Sequence, residues 1–314
     1  MSLTSFVGMR EVRETIKPIR PKLPRMIAVP IKVEPSSKRY ALVGTAFDYL
    51  LRFELQRRAP HAVTEGWAAE KARDRLRPFI SKNCRVYCGQ PKWDGNLDHF
   101  IPPEEVFRRA TKIVEDAKTA VAAYVKLKRA SRDKRADLAA HAIRLANLDP
   151  VYRRGDYQLD PQFDQAFPED VENLLALLAI VPFDKLIHDQ VLLLNPNFGA
   201  TSELVGAADT DLITGDMLVD LKTTKKGEMD GVNLDQLFGY YLLARRHRQV
   251  DPTFPEIKRL AFYFSRHGYL WSEPATTWTD HPQFSEIEKW FFQRAEKIYG
   301  RPRKSGRSVR KPSV

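Results

Sequence analysis

Hydrophobic residues change their period along this chain, and the change separates helical from strand-forming segments. In AFDYLLRFELQRR, Ala46–Arg58, the residues Phe47, Leu50, Leu51 and Leu55 recur at helical spacing with charges between them. That spacing predicts a first core helix, which Gly44-Thr45 opens. Residues 64 to 150 read mostly helical, through TEGWAAEKARDRL and a long stretch from Pro103 through Asn147 rich in alanine and alternating charge. A further amphipathic helix is expected at Glu169–Val181. From about Leu192 to Leu221 the period shortens to alternating and β-branched residues, which predicts strands. A helix follows at Leu234–His247, then a strand at Arg259–Ser265 continuing through Leu270, and a last helix at Phe284–Tyr299. The expected order is α, then β-β-α-β-α.

The two ends read differently. Residues 14 to 38 mix five prolines with basic and β-branched residues, and residues 1 to 40 are expected to form an extended arm lying over the core. Residues 301 to 314 carry six basic residues, no acidic ones and no apolar period, which predicts a disordered basic tail. Between them, residues 41 to 300 read as a single domain with a helical insertion at about 64 to 185 and no internal repeat.

Composition narrows the classes. The chain has 314 residues, 43% of them hydrophobic, enough for one large core. Its 51 Lys and Arg against 40 Asp and Glu give a net charge of +11, which favours polyanionic partners without naming one. The two cysteines, Cys84 and Cys88, are too few for a disulfide scaffold or a four-cysteine metal site, so a reducing, cytoplasmic setting is expected. The longest apolar run, Leu174–Phe183, is about half a membrane span, so no membrane role is expected.

Chemistry concentrates in GAADTDLITGDMLVDLKTT, Gly206–Thr224, where Asp209, Asp211, Asp220 and Lys222 stand among residues suited to a buried sheet. Carboxylates in such a place need a cation or an ion pair to offset desolvation. Side chains two apart share a face, so Asp209 pairs with Asp211 on one strand and Asp220 with Lys222 on the next. If Gly215-Asp216 is a two-residue turn, Thr214 faces Met217, Asp211 falls opposite Asp220 and Asp209 opposite Lys222. All four then share one face, whereas a three-residue turn would split the pairs between faces. Carboxylates are hard ligands for Mg²⁺ or Mn²⁺, and a neighbouring lysine can stabilise negative charge developing on a phosphodiester.

Three separated pieces resemble the RecB-like branch of the PD-(D/E)XK nuclease superfamily. Gly206-Ala207-Ala208-Asp209 is similar to its GxxD segment, Asp220-Leu221-Lys222 to its (D/E)xK, and Gln236 through Tyr240 to its QxxxY helix. The resemblance implies a restriction-endonuclease-like α/β core, a mixed central sheet flanked by helices. It further implies that Asp209 and Asp220 bind metal, that Lys222 is catalytic, and that Gln236 and Tyr240 face the site or the substrate backbone. Asp211, nominated as strongly by the register, is a second ligand or helper. Gly44 through Asp48 looks like the branch's GxxxH segment with Asp48 in place of the histidine, which makes Asp48 a candidate third ligand.

The expectation is therefore a Mg²⁺- or Mn²⁺-dependent deoxyribonuclease acting on DNA. The alternative is a non-catalytic nucleic-acid-binding or assembly protein that keeps the fold. No GxxxxGK[ST] or GxGxxG segment occurs, so any motor is a separate partner protein, and no HxH or HExxH spacing suggests a zinc hydrolase. Glu203 reads as a surface residue and His267 as part of a turn between strands. Tyr152-Arg153-Arg154 and Tyr263-Phe264-Ser265-Arg266 interleave aromatics with cations, a pattern that packs more often than it stacks on bases.

Overall fold

A computed structural model describes residues 2–23, 25–81, 101–157 and 159–300. Two short helices, α1 (Leu3–Val7) and α2 (Arg10–Ile16), begin the chain, and an extended segment leads to α3 (Tyr40–Arg58). After a two-residue strand β1 (Val63–Thr64) come α4 (Ala68–Ser81), α5 (Pro103–Tyr124), α6 (Arg132–Arg153), α7 (Pro168–Ala179) and α8 (Phe183–Leu186). Then follow β2 (Leu192–Leu194), α9 (Ala200–Glu203), β3 (Leu212–Thr214), β4 (Met217–Lys222) and α10 (Gly231–Val250). The chain closes with β5 (Arg259–Phe264), β6 (Tyr269–Pro274), α11 (Thr276–Thr279) and α12 (Phe284–Tyr299).

Helix boundaries follow ordinary capping chemistry. Pro103 and Pro168 open α5 and α7 with acidic residues in the first turn, where the helix dipole favours them. The Asp230 carboxylate accepts from the Asn233 amide at 2.8 Å to cap α10.

The six strands form one mixed sheet in sequence order. β1 and β2 are parallel, as are β4 and β5; the other neighbours are antiparallel. Strand alternation divides the apolar residues between two faces. Leu192, Leu194, Leu212, Val219, Ala261 and Tyr263 join a core with α3 to α7, while Ile213, Leu218, Leu260, Phe262 and Phe264 join a second with α1, α2, α10 and α12. The sheet thus lies between two helical layers, an α/β architecture with a mixed open sheet. No helix among the described residues is long and apolar enough to cross a membrane.

Several expectations are corrected. Residues 3–7 and 10–16 are helical, not extended, because Leu3, Phe6, Val7, Val12 and Ile16 form an apolar face buried against the α10 side of the sheet. Only the later part of the arm is extended, and it is strapped down: Ile27 donates its amide to the Gly227 carbonyl, and Lys32 and Val33 to that of Arg266. Helix α3 starts at Tyr40, so Gly44 lies inside it; Arg39 ties its start to Glu169 and Asp170, each at 2.6 Å. The Pro103–Asn147 stretch breaks at 125–131, where the Ser131 hydroxyl caps α6. The Arg259–Leu270 strand folds back on itself at His267 and Gly268, whose φ of +56° favours glycine, giving the antiparallel pair β5–β6. Cys84, Cys88 and the 301–314 tail lie outside the described residues.

Candidate active site

The hairpin turn is the two-residue one. Thr214 pairs with Met217 and Leu212 with Val219, with Gly215 at φ +58° in the first turn position, where a side chain would be strained. The Asp216 carbonyl accepts from the Lys258 and Arg259 amides, which fixes the turn to the start of β5.

Beyond Leu212 the two strands part, a departure from the regular alternation the sequence suggests. The chain before β3 stays with the segment after β2: the Asn195 amide donates to the Asp211 carbonyl at 2.9 Å, and Asn197 bridges Asp209. β4 continues alone on that side to Lys222. The Leu221 amide, left without a β3 carbonyl, instead donates to the Asp211 carboxylate at 2.6 Å. Asp209 and Asp211 therefore lie on the segment before β3, and Asp211 is the one drawn to β4. Asp209 is not seated opposite Lys222; its carboxylate accepts from Arg153 Nη2 of α6 at 3.4 Å.

The parting leaves a polar opening at the end of the sheet, lined from both helical layers. From one side, the backbone of Gly44 lies against Thr223, just past the end of β4, and Asp48 stands one turn further along α3. From the other, α10 presents Gln236 and Tyr240. Lys222 Nζ lies 2.6 Å from Asp220 Oδ2 and donates to Gln236 Oε1 at 3.1 Å. An ammonium has only donors, so the amide oxygen of Gln236 must face it. The Gln236 amide nitrogen is then free to donate to Tyr240 Oη at 3.2 Å and to Thr4 Oγ1 at 3.0 Å. Thr4 belongs to α1, and nothing in its local sequence marks it as a neighbour of the site.

Electrostatics bind these residues into one group. Burial first, then the charges of Asp220 and Asp48, push the Asp211 carboxyl well above the usual carboxylate range, against the pull of the Leu221 amide and Lys222. Burial and the charges of Asp220, Asp211 and Asp209 likewise raise the Tyr240 phenol, which keeps it protonated. Asp48 is half-buried and paired with Arg52 at 2.6 Å. The Arg153 guanidinium is opposed by burial, but Asp209, Asp149 and Asp48 more than offset that and raise it. Arg52 and Asp149, a buried residue bound to Tyr49 and Arg153, are further members that no motif disclosed; Arg52 alone had a signal, its i+4 spacing from Asp48.

The donor chemistry fits a hard divalent cation in one respect and departs from it in another. Asp48 Oδ1 is buried without a hydrogen-bond partner, Asp220 Oδ2 is buried with the Lys222 ammonium as its partner, and Asp211 is held among like charges, a combination that a cation relieves. Yet among the described residues no group of three or more His, Cys, Asp or Glu side chains converges as a metal cluster, since Arg52, Lys222 and Arg153 draw three of the carboxylates to themselves.

Other candidates fall away from the site. Glu203 is exposed on α9. His267 does occupy the turn between β5 and β6, where Nδ1 bonds with the Val29 carbonyl at 2.9 Å. Tyr263, Phe264 and Arg266 are buried, so they pack and do not present faces to bases. The Tyr152 ring carries Lys71 and Arg75 over it.

No protein-family model, no curated protein and no solved structure matches this chain.

Proposed function

We propose that this chain is a divalent-cation-dependent nuclease that hydrolyses phosphodiester bonds, with DNA the favoured substrate. The observation that carries the reading is the gathering around the end of β4 of the Lys222–Asp220 ion pair, the crowded Asp211 and Asp48, with a buried Asp48 oxygen left unbonded. The resemblance of the three motifs to RecB-like nucleases supports it independently, as does the net charge of +11.

Asp220, Asp211 and Asp48 would hold Mg²⁺ or Mn²⁺, with Asp209 at the rim. A cation so held supplies Lewis-acid activation of a phosphodiester and its attacking water. Lys222 places a fixed positive charge beside the reacting group, where it stabilises negative charge developing on the phosphoryl oxygens. Gln236 holds the Lys222 ammonium in place by accepting one of its protons, and Tyr240 and Thr4 hold Gln236 in turn. Arg52 and Arg153 keep Asp48 and Asp209 neutralised until a cation or a phosphate competes for them.

That same neutralisation favours a second reading, a nucleic-acid-binding protein that keeps the fold without turnover. The experiment that separates them is cleavage of single- and double-stranded, linear and circular DNA with Mg²⁺ or Mn²⁺, wild type against Lys222→Ala. Cleavage lost in the variant is the expected result. No cleavage by the wild type, with salt-sensitive DNA binding retained, selects the second reading.

A further inference from the structure

Positive charge concentrates in the turn between α5 and α6 and in the helix start that follows it. Residues 126–135 hold six cations, Lys126, Lys128, Arg129, Arg132, Lys134 and Arg135, against one carboxylate, Asp133. Arg57 and Arg58 at the end of α3 adjoin them. Arg57 donates to the carbonyls of Leu127 and Lys128 at 3.3 and 3.1 Å, and Glu54 is shared by Arg57, Arg58 and, at 3.9 Å, Arg135. With Glu172, the partner of Arg132, the eight cations face three carboxylates, an excess of five in a chain of net charge +11. Asp137, the next carboxylate along α6, faces His141 instead, and Asp184 and Lys185, beside the Phe183 ring that Arg58 covers, cancel. Other exposed lysines have partners, as Lys17, Lys112 and Lys258 do. Lys126, Lys128, Arg129 and Lys134 are exposed with no carboxylate partner among the described residues.

Helix stability does not account for these charges. Arg132, Lys134 and Arg135 stand in the first turn of α6, where the helix dipole disfavours cations, and neighbouring like charges repel. The backbone that carries them is nonetheless fixed: Arg57 holds two carbonyls of the turn, Tyr124 bonds Glu54, and the Ser131 hydroxyl caps α6. Little backbone order is therefore lost when a partner binds. The side chains restrict that partner. Residues 125–135 hold no exposed large hydrophobic residue, whereas the core of a protein interface is apolar and aromatic and depleted in lysine. We infer that the α5–α6 turn is a second contact for the phosphate backbone of DNA, separate from the candidate active site. Helix α3 spans the distance between them. Near its start Gly44 lies against Thr223, and past its end the His61 ring donates to the carbonyl of His188, whose own ring lies on Gly215 at the far end of the β3–β4 hairpin. Arg58 is about 15 Å along the helix from Asp48, and the 22 residues of α6 separate the turn from Arg153 by about 33 Å. The inference rests on the DNA partner of the nuclease reading and adds where the polymer is held: away from the cleaved bond, so that the turn contributes affinity and not chemistry.

The test is a binding experiment without divalent cation, so that it does not depend on turnover. Anisotropy of a fluorescein-labelled DNA duplex of about three helical turns is titrated at several salt concentrations with the wild type and two triple variants of matched melting temperature. The turn variant is Lys126→Gln/Lys128→Gln/Arg129→Gln. The control, Lys17→Gln/Lys112→Gln/Lys258→Gln, removes the same charge from lysines that have carboxylate partners. Each phosphate contact contributes about 0.9 to the slope of log affinity against log salt. The turn variant should therefore lower the magnitude of that slope by about 2.7 and weaken low-salt binding by about tenfold or more, while the control binds as wild type does. Equal losses in the two variants show that net charge alone acts and overturn the contact, as does an unchanged slope in the turn variant. Labelled polyglutamate and phosphatidylserine vesicles are the comparison ligands, and both should bind the wild type more weakly than the duplex. Tighter binding of either one, lost in the turn variant, overturns the DNA assignment in favour of an acidic protein or a membrane surface. Lys222-dependent cleavage with unchanged binding by the turn variant leaves the nuclease and removes this contact. The loss expected of the turn variant, without cleavage by wild type in Mg²⁺ or Mn²⁺, does the reverse.

Discussion

Helix α3 carries two carboxylates six residues apart, half-buried Asp48 and buried Glu54, and their surroundings are opposites. Glu54 is fully buried and every oxygen is occupied: Arg57 grips both, Arg58 binds one at 2.7 Å and the Tyr124 hydroxyl donates to the other. Burial alone would raise its pKa, but these donors more than compensate and hold it below the usual value. Asp48 keeps one buried oxygen unbonded and adds its charge to Asp211 and Asp220. A carboxylate with all its partners contributes to stability, whereas carboxylates crowded among themselves carry unspent affinity for a cation. The first cluster holds the helical layer together; the second is suited to chemistry.

If the contrast is right, substitutions should separate the two clusters by what they damage. The largest expected effect is on turnover: Lys222→Ala should lower DNA cleavage by about 10²–10³, measured at a temperature where the variant is folded because buried Asp220 loses its ion pair. Unchanged cleavage would remove Lys222 from the proposed chemistry. Next in size, Glu54→Ala should cost about 3–5 kcal/mol, because it strands the largely buried Arg57 guanidinium and leaves the buried Tyr124 hydroxyl without its acceptor, as read by urea denaturation.

The depressed pKa of Glu54 adds a pH signature. A carboxyl that is more acidic folded than unfolded contributes stability above its unfolded value, near 4.5, and loses it as pH falls through the lower folded value. Stability of the wild type should therefore drop below about pH 4.5 more steeply than that of Glu54→Gln; parallel pH curves would show that Glu54 is not what holds the layer. In the other cluster the sign reverses. Asp211→Asn keeps an oxygen for the Leu221 amide and removes one of the crowded charges, so it should raise stability at neutral pH by roughly 1 kcal/mol while cleavage falls. Loss of stability in that variant would contradict the crowding. The smallest effect belongs to the outermost positioning contact: Thr4→Val removes one hydrogen bond to Gln236, and stability should fall by about 0.5–1.5 kcal/mol with cleavage reduced only several-fold.

Legibility in the sequence followed locality. Helices with a strong period were readable nearly to their ends, as at Phe284–Tyr299, and so was the place of the Gly215-Asp216 turn, though not its length, because both are set by residues a few positions apart. Strand length was not. Alternation continues past Leu212 toward Asp209, but Asn195 and Asn197 claim that segment's backbone, and no local pattern announces a competing partner. The N-terminal arm misled for a related reason: prolines at 18, 21, 24, 30 and 35 suggest extension throughout, while the short apolar period before them is helical only because α10 and the sheet offer a face to bury it.

By itself, then, the sequence determined the residue types at the candidate site, their order, and the position of a turn at Gly215-Asp216, leaving its length to the structure. Tertiary structure decided what surrounds them. It brought Asp48 and Arg153, about 160 and 56 residues from Asp209, to the same opening, attached Thr4 to Gln236, and tied the basic α5–α6 turn to Arg57. Such contacts between distant segments follow from how two helical layers close on a sheet, a balance of buried area and chain entropy summed over the whole molecule and written in no single stretch of it.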